Sequence, residues 1–498
     1  MRTSERIRTA PTIKAEMLPF GRVFAHGFLF FVQGVVVTSS SAIYHDIFIE
    51  AKVLKPGQEE LTPIYVGYFS GAYFFGKILS DFLWGVIRDS QGDKVTINIT
   101  SIFLMAALVS VGFSWNLWSM LTSLFFVGLA SGIFVPGMAF CNWIGVEKRE
   151  TLVMWVYIFA GAGSLSGPFL GSLFFTIFST NKLLKTFSCI AVMMLLSLLS
   201  FNYTFSDYDD RALIDTSKYT ELLEEENNKI RESLDNFDID DLKRKSIAGQ
   251  IDSERLENIV DNVKYIESRK KLQNQTPLQI LVGSLSRILL VLACSITWGV
   301  KLLEFMLFPI WVELSRKQGG LGFSNVATGA ISLLNFPLMA ILLLYVYKWV
   351  QKQKASNVMY NTALVMFVVC SLSPLVFFID ISSENLMLLI VPICSIKELA
   401  NILWITSWSN LFTRLFPSRT LGRVFSWSFL VGHLILAILT QIYPRLLTEF
   451  IKNEVIKNKL GDFKITVFFT ILIAPMLIVM ILIRIAQKRL AKTENLHI

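Results

Sequence analysis

Long runs of apolar residues alternate with short polar segments along almost the whole chain. Each run reaches or approaches the roughly 20 apolar residues that an α-helix needs to cross the hydrocarbon core of a bilayer. Twelve such runs, numbered here as spans one to twelve, lie near residues 20–43, 62–84, 95–114, 116–140, 152–178, 183–204, 284–310, 325–348, 358–379, 385–410, 420–443 and 463–485. This pattern predicts an all-α polytopic membrane protein with twelve transmembrane helices.

One polar segment, between spans six and seven, is much longer than the others and is crowded with charge, as in "ELLEEENNKIRESLDNFDIDDLKRK". It divides the spans into two sets of six. We therefore expect an N-terminal six-helix bundle over residues 1–204, a central loop over 205–283, and a C-terminal six-helix bundle over 284–498.

The later part of the central loop, roughly 240–272, has apolar residues at helical spacing, namely Ile251, Leu256, Val260 and Val263. This spacing indicates an amphipathic surface helix. A tether between the two bundles is the favoured interpretation, and a regulatory docking element is the alternative.

The composition supports a lipid-facing protein and argues against several other classes. Hydrophobic residues make up 53% of the chain and charged residues only 17%, whereas a soluble protein carries about a quarter charged residues. The five Cys lie inside or beside apolar runs without a CxxC pair, and the four His are scattered, so we expect neither a disulfide framework nor a metal site. No convergent catalytic cluster or channel filter loop is visible. We expect no enzyme, no cofactor and no nucleic-acid partner.

Lys and Arg set the predicted orientation, because cytoplasmic loops carry an excess of them. With the N-terminus in the cytoplasm, the loops on that side and the chain ends hold more basic residues than the opposite loops, although a group from Arg445 to Lys459 weakens the bias. We predict cytoplasmic N- and C-termini and a cytoplasmic central loop. The plasma membrane and a vacuolar or other internal membrane both fit.

The segment "WGVIRDSQGDK", Trp84 to Lys94, is a compact charged stretch between spans two and three. Gly85 and Gly92 permit close backbone approach and positive φ. Asp89 is placed where a helix N-terminus or an Arg could hold it. We predict that the stretch forms the cytoplasmic turn between the two spans.

This turn resembles motif A of the major facilitator superfamily, whose pattern is Gly, three residues, Asp-Arg, one residue, Gly-Arg-Lys. The matching residues are Gly85, Asp89, Gly92 and Lys94. Ser90 and Asp93 stand where the motif has Arg, and Arg88 is available to replace one lost charge.

Further stretches narrow the resemblance. In span five, "GSLSGPFLGS" is similar to the Gly-x-x-x-Gly-Pro-x-x-Gly antiporter motif through Gly163, Gly167, Pro168 and Gly171. The stretches "GFSWNLWSMLTSLFFVGLASG", "EFMLFPIWVELSRKQGGLGFS" and "SNLFTRLFPSRTLGRVFSW" resemble the zinc-induced facilitator-like group, which is related to the twelve-span drug:proton antiporters.

The resemblance implies two six-helix bundles that rock around a midplane cavity, and thus a secondary active transporter of a small organic solute that acts as a monomer in the bilayer. Many proton-coupled relatives carry an Arg four residues before the Gly that matches Gly128, but this chain has Leu124. Proton coupling is therefore open. An uncoupled facilitator, and a receptor or scaffold on the same fold, are the alternatives.

The resemblance also assigns a role to the motif A turn. In the family, the motif Asp meets the N-terminus of span eleven and holds the cytoplasmic side shut. That helix is expected to start near "PSRTLGR", where Arg419 is available as a partner for Asp89.

Ionisable groups within spans are costly in lipid and are therefore candidates for function. Lys77 and Asp81 lie four residues apart in span two, a spacing that favours a structural ion pair. Lys301 and Glu304 lie three apart in span seven, where function and structure are equally compatible. Gln33 in span one is a further candidate for lining the cavity.

Span ten contains "SIKELANILW", with Lys397 and Glu398 close to mid-span and Asn401 one turn further along. A charged pair at this depth has no path by which its side chains could reach the membrane surface. We predict that the pair faces the cavity and takes part in binding the substrate or a coupling ion.

Overall fold

The computed structural model describes residues 20–55, 58, 61–133, 137, 140, 146–206, 279, 283–316, 320–351, 353–379, 383–415, 418–453 and 464–493. The predicted surface helix at 240–272 lies outside these residues. The described part of the chain is almost entirely helical, and no strand occurs in it. Its α-helices are α1 (Phe20–Thr38), α2 (Tyr44–Glu50), α3 (Thr62–Gln91), α4 (Asp93–Gly112), α5 (Leu117–Ala130), α6 (Val146–Ile177), α7 (Lys182–Thr204), α8 (Leu285–Glu313), α9 (Asn325–Gln351), α10 (Ala355–Leu372), α11 (Ser383–Leu415), α12 (Ser418–Lys452), α13 (Lys464–Ile473) and α14 (Pro475–Thr493).

The helices follow the predicted spans closely. Span nine is α10 continued by a 3₁₀ helix, Ser373–Phe378, and span twelve is divided into α13 and α14. Among the described residues, ten helical segments are long and apolar enough to cross a membrane. Spans two and four are not among these ten. Span two corresponds to α3, which contains Lys77 and Asp81, and span four corresponds to α5, which has 14 described helical residues. The prediction of an all-α polytopic membrane protein is confirmed.

Small residues of the span-five motif bring α6 against α1. A Cβ on Gly163 would collide with the Phe31 carbonyl oxygen, and one on Gly167 would collide with the Thr38 hydroxyl. Thr38 Oγ1 also donates a hydrogen bond to the Ser164 carbonyl oxygen at 2.9 Å. In lipid, where apolar burial provides little drive for association, such close backbone packing is what holds helices together.

The charged stretch between spans two and three is helical over most of its length, so the prediction of a turn from Trp84 to Lys94 was wrong. Helix α3 continues to Gln91 and α4 begins at Asp93, which leaves Gly92 alone between them. Gly92 has φ 86° and ψ 172°, a backbone conformation that favours glycine. Gly85 lies inside α3 and is absent from the glycines with positive φ in the described chain. The residues before Gly92 do not interrupt the helix, because the polar side chains in this stretch are compatible with a helical backbone.

Two charged side chains of this stretch make contacts at the ends of neighbouring helices. Arg88 Nε lies 2.6 Å from Asp93 Oδ1, so this pair spans the Gly92 turn. Lys94 Nζ donates a hydrogen bond of 2.6 Å to the Phe205 carbonyl oxygen, just beyond the C-terminus of α7, where a cation is favoured by the helix dipole. The Asp89 side chain lies outside the described residues.

The end of the bundle that contains Gly92 is called the Gly92 end, and the opposite end, which contains the short helix α2, is called the α2 end. Helices α1–α7 form the N half and α8–α14 the C half.

Contacts between the two halves occur near the α2 end. Asn325 Nδ2, at the start of α9, lies 2.5 Å from Asp46 Oδ2 in α2. Gln441 Nε2 in α12 donates to the Gly67 carbonyl oxygen in α3 at 3.0 Å. A Cβ on Gly329 would lie 2.8 Å from Phe169 Cα, so α9 packs closely on α6. These contacts hold the halves together at this end.

Candidate functional site

Four charged side chains on α8 and α11 meet inside the C half. Lys397 Nζ donates hydrogen bonds to both carboxylate oxygens of Glu304, at 2.8 and 3.0 Å. Only 4% of Glu304 and 8% of Lys397 is exposed. The Lys397 ammonium also lies 4.8 Å from the centre of the Phe308 ring, a favourable cation–π distance. This pair is tightly held on several sides.

The second pair is looser. Lys301 Nζ lies 3.6 Å from Glu398 Oε2, and Lys397 Nζ lies 3.7 Å from Glu398 Oε1. Both distances exceed the usual length of a hydrogen bond. Asn401 Nδ2 donates to Glu398 Oε2 at 3.3 Å. Lys301, Glu304, Lys397 and Glu398 are called the ion cluster below.

The helical repeat explains why these side chains converge. Residues three apart lie on nearly the same face of an α-helix, so Lys301 and Glu304 of α8 both point towards α11. They pair with α11 in crossed fashion: Glu304 with Lys397, and Lys301 with Glu398. Two ammonium and two carboxylate groups give the ion cluster no net charge, which lowers the cost of burying it in a membrane.

Buried polar atoms without partners lie on the same helices. Within the described chain, Asn401 Oδ1 and Trp404 Nε1 on α11, and Trp298 Nε1 on α8, make no hydrogen bond. Asn401 is 2% exposed and Trp404 is 1% exposed. A buried donor or acceptor without a partner is destabilising unless a ligand or water satisfies it. These helices therefore retain hydrogen-bonding capacity beside the ion cluster.

All four charged residues of the ion cluster could be selected from the sequence, but only as two separate pairs, Lys301 with Glu304 in span seven and Lys397 with Glu398 in span ten. The pairing of Glu304 with Lys397 joins residues 93 positions apart, and no spacing rule reveals such a contact. The Phe308 ring beneath Lys397 was also missed, because one Phe among the 40 in the chain carries no distinguishing signal.

The remaining predicted site residues lie elsewhere. Lys77 donates a short hydrogen bond to the Ser131 carbonyl oxygen, at the C-terminal end of α5, where a cation stabilises unpaired carbonyl groups. The side chain of Asp81 lies outside the described residues, so the predicted Lys77–Asp81 pair stays a prediction. Gln33 is buried in α1, and its Oε1 has no hydrogen-bond partner in the described chain.

The structure places some of the residues that were predicted to take part in gating. Helix α12 starts at Ser418, as expected from the "PSRTLGR" stretch, but the Arg419 side chain lies outside the described residues. Pro168 lies within α6, and its carbonyl oxygen is 3.1 Å from the position of a Cβ on Gly329 of the C half. Thus the span-five motif contacts α1 on one side and α9 on another.

Comparison with known proteins gives two relatives from Arabidopsis thaliana. Protein ZINC INDUCED FACILITATOR-LIKE 1 is 21% identical over 321 residues, which are 63% of this chain and 60% of the relative. The chloroplastic ascorbate transporter is 26% identical over 157 residues, which are 31% of this chain and 29% of the relative. In both cases the match spans less than two thirds of the relative's length.

Solved structures share the arrangement of helices over nearly the whole chain. A POT family transporter in complex with a thioalcohol-conjugated peptide has a TM-score of 0.57 at 13% identity, covering 94% of this chain and 96% of the other. A D-xylose–proton symporter has a TM-score of 0.57 at 12% identity, covering 92% and 97%. At these identities the likeness shows the fold alone. The model of the Major Facilitator Superfamily matches residues 23–440, and this chain, an integral membrane protein with multiple spans, therefore belongs to that superfamily.

Proposed function

We propose that the protein is a secondary active transporter that moves a small organic solute by alternating access between its N and C halves. The observation that carries the proposal is the ion cluster, buried between two membrane-spanning helices together with unsatisfied polar atoms. Charges within a membrane are costly and are typically retained for a function. Membership of the Major Facilitator Superfamily, together with a relative that is named as an ascorbate transporter, supports the same class.

The geometry suggests which part of the ion cluster takes the cargo. Glu304 and Lys397 are joined by two short hydrogen bonds, so they form the fixed part. Lys301 and Glu398, at 3.6 Å, retain hydrogen-bonding capacity for a polar group of the cargo. Because the cluster is neutral, a cargo with a net charge would introduce an uncompensated buried charge. The polar end of the cargo is therefore net neutral and carries both donors and acceptors.

Coupling to protons is the finer part of this proposal. In a proton-coupled mechanism, Glu304 and Glu398 are the buried carboxylates available to carry the proton, since Leu124 occupies the position where many proton-coupled relatives have Arg. The same Leu124 favours an uncoupled facilitator as the second candidate function. The two differ in their response to an imposed pH gradient.

The test is uptake by the purified protein in liposomes, with radiolabelled phenylalanine as the first net-neutral probe. We expect Glu398→Gln to abolish uptake while expression stays near normal. Losing one partner of a buried pair can cost about 3–5 kcal/mol, so folding is measured alongside. Glu50→Gln, at an exposed position on α2, is the matched control.

The outcomes separate the alternatives. Poor folding of Glu398→Gln with normal uptake per folded molecule would assign the pair to structure. Uptake that ignores an imposed pH gradient would indicate a facilitator. Absence of uptake for every net-neutral solute in a broad panel would favour a receptor or scaffold.

A further inference from the structure

A cavity lies mainly within the N half and shares helix α8 with the ion cluster. It is lined by residues of α1, α3, α4, α5 and α7, residues of α8 form one side, and the space of about 820 Å³ is partly open to solvent. Its wall is mostly apolar and includes Phe69, Val111, Leu124 and Phe187.

Helix α8 joins the cavity to the ion cluster. Leu302, Phe305 and Met306 line the cavity, while Lys301 and Glu304 beside them belong to the ion cluster. With each residue turned by roughly 100° around the helix, Phe305 lies only about 40° from Lys301. Leu302 and Met306 are turned about 100° and 140° from Lys301. The polar site and the apolar cavity thus lie on adjoining faces of α8, with Phe305 between them.

A few hydroxyl groups lie in the otherwise apolar wall, on the side of the cavity nearest α2. The Tyr44 hydroxyl is hydrogen-bonded to the side chains of Ser40 and Ser70. The Ser41 side chain also lines the cavity. Ser41 is 2% exposed, and its hydroxyl has no hydrogen-bond partner in the described part of the chain. A mostly apolar wall with few polar groups is the usual composition of a ligand pocket.

Leu124 contributes to the apolar character of this wall. Many proton-coupled relatives carry Arg at that position, and a guanidinium group here would place a charge in the cavity wall. With Leu124, the described part of the wall contains no charged side chain. An apolar cavity gains free energy from an apolar occupant, at about 25 cal/mol per Å² of surface removed from water.

We infer that this cavity receives the apolar part of an amphipathic cargo whose net-neutral polar end binds at Lys301 and Glu398. The inference rests on the proposed function, because it assumes that the ion cluster takes the polar end. It assigns the cargo a class: a small zwitterion with an aromatic or branched aliphatic substituent. Ser41 is then a polar contact within the apolar subsite.

Photolabelling of the full-length protein in liposomes tests the cavity without requiring transport. The probe is phenylalanine with a trifluoromethyl-diazirine on its ring, and adducts are located by mass spectrometry. We expect adducts on Phe69, Leu124 and Met306, with competition by unlabelled phenylalanine. Ser41→Leu fills part of the cavity without breaking a hydrogen bond, and should reduce this labelling roughly tenfold, as expected when an added group obstructs an apolar pocket. The control is Ser110→Leu on α4, outside the cavity wall.

Each outcome addresses the inference directly. Labelling confined to lipid-facing residues, or equal labelling of cavity residues in wild type and Ser41→Leu, would overturn it. A phenyl-diazirine without the amino acid group reports general partitioning from lipid and should not be displaced by phenylalanine. Cavity labelling without phenylalanine uptake would support the subsite and contradict transport of that probe. Uptake that Ser41→Leu leaves unchanged would support transport and overturn the subsite.

Discussion

Replacing Lys397 by Met should destabilise the protein more than replacing its partner Glu304 by Gln. The Lys397 ammonium lies 2.8 Å from Glu304, 3.7 Å from Glu398 and 4.8 Å from the centre of the Phe308 ring. Without it, two buried carboxylates are left with Lys301 as the remaining cation of the cluster. The buried group then carries a net negative charge.

The expected loss in the free energy of unfolding depends on which charged partners each variant leaves in the ion cluster. For Lys397→Met we expect a loss of about 3–5 kcal/mol in the free energy of unfolding, typical of a broken buried pair. For Glu304→Gln we expect about 1–3 kcal/mol, because Lys397 keeps Glu398 and the Phe308 ring. The double variant retains Lys301 with Glu398 and is neutral again. It should therefore be more stable than the sum of the single losses predicts, by roughly 2 kcal/mol.

The assay is unfolding by SDS in mixed micelles, followed for wild type, both single variants and the double variant. Lys55→Met, at an exposed position after α2, controls for the loss of a charge alone and should change stability by less than about 0.5 kcal/mol. Additive losses in the double variant would refute the direct pairing of Glu304 with Lys397. A larger loss for Glu304→Gln than for Lys397→Met would refute the charge argument.

Three further predictions concern the topology and the closure of each end. With Gln58→Cys and Asn236→Cys, a membrane-impermeant thiol reagent applied outside should label the first and spare the second, and the reverse pattern would contradict the predicted orientation. Asn325→Ala removes the partner of Asp46 and should widen the spin-label distance across the α2 end. Asp89→Asn should shift the equilibrium between the two conformations by ~5- to 30-fold towards the one that is open at the Gly92 end. The spin-label distance between α3 and α12 at that end should therefore increase. An unchanged distance would mean that Asp89 only caps its own turn.

The positions of most helices in the described chain could be predicted from the sequence, because a membrane imposes a length and an apolar character on every span. The short helix α2 was not predicted. The Gly92 turn shows where this reasoning fails. A charged stretch between two apolar runs looks like a loop, yet polar residues such as Arg88 are good helix formers and extend α3 beyond the apolar run. The break between α13 and α14 was likewise missed, since hydropathy continues across it.

The candidate site was predictable only in its parts. Charges inside spans stand out in a sequence, so Glu304 and Lys397 could be selected singly. Their mutual contact, and the participation of α8 residues in a cavity of the N half, depend on how helices from distant parts of the chain pack. Apolar wall residues such as Phe305 are indistinguishable in sequence from residues that face lipid.

The position of α8 connects the two proposed subsites with alternating access. A ligand can shift a conformational equilibrium only if it binds the two states with different affinity. Helix α8 belongs to the C half, but Leu302, Phe305 and Met306 close a cavity formed mainly by the N half. Any rocking of one half against the other must therefore change the apolar subsite, while the ion cluster, which lies on α8 and α11 of the same half, moves as a unit. A cargo that occupies both subsites would bind best when α8 lies against the N half, and this difference in affinity is the property that alternating access requires.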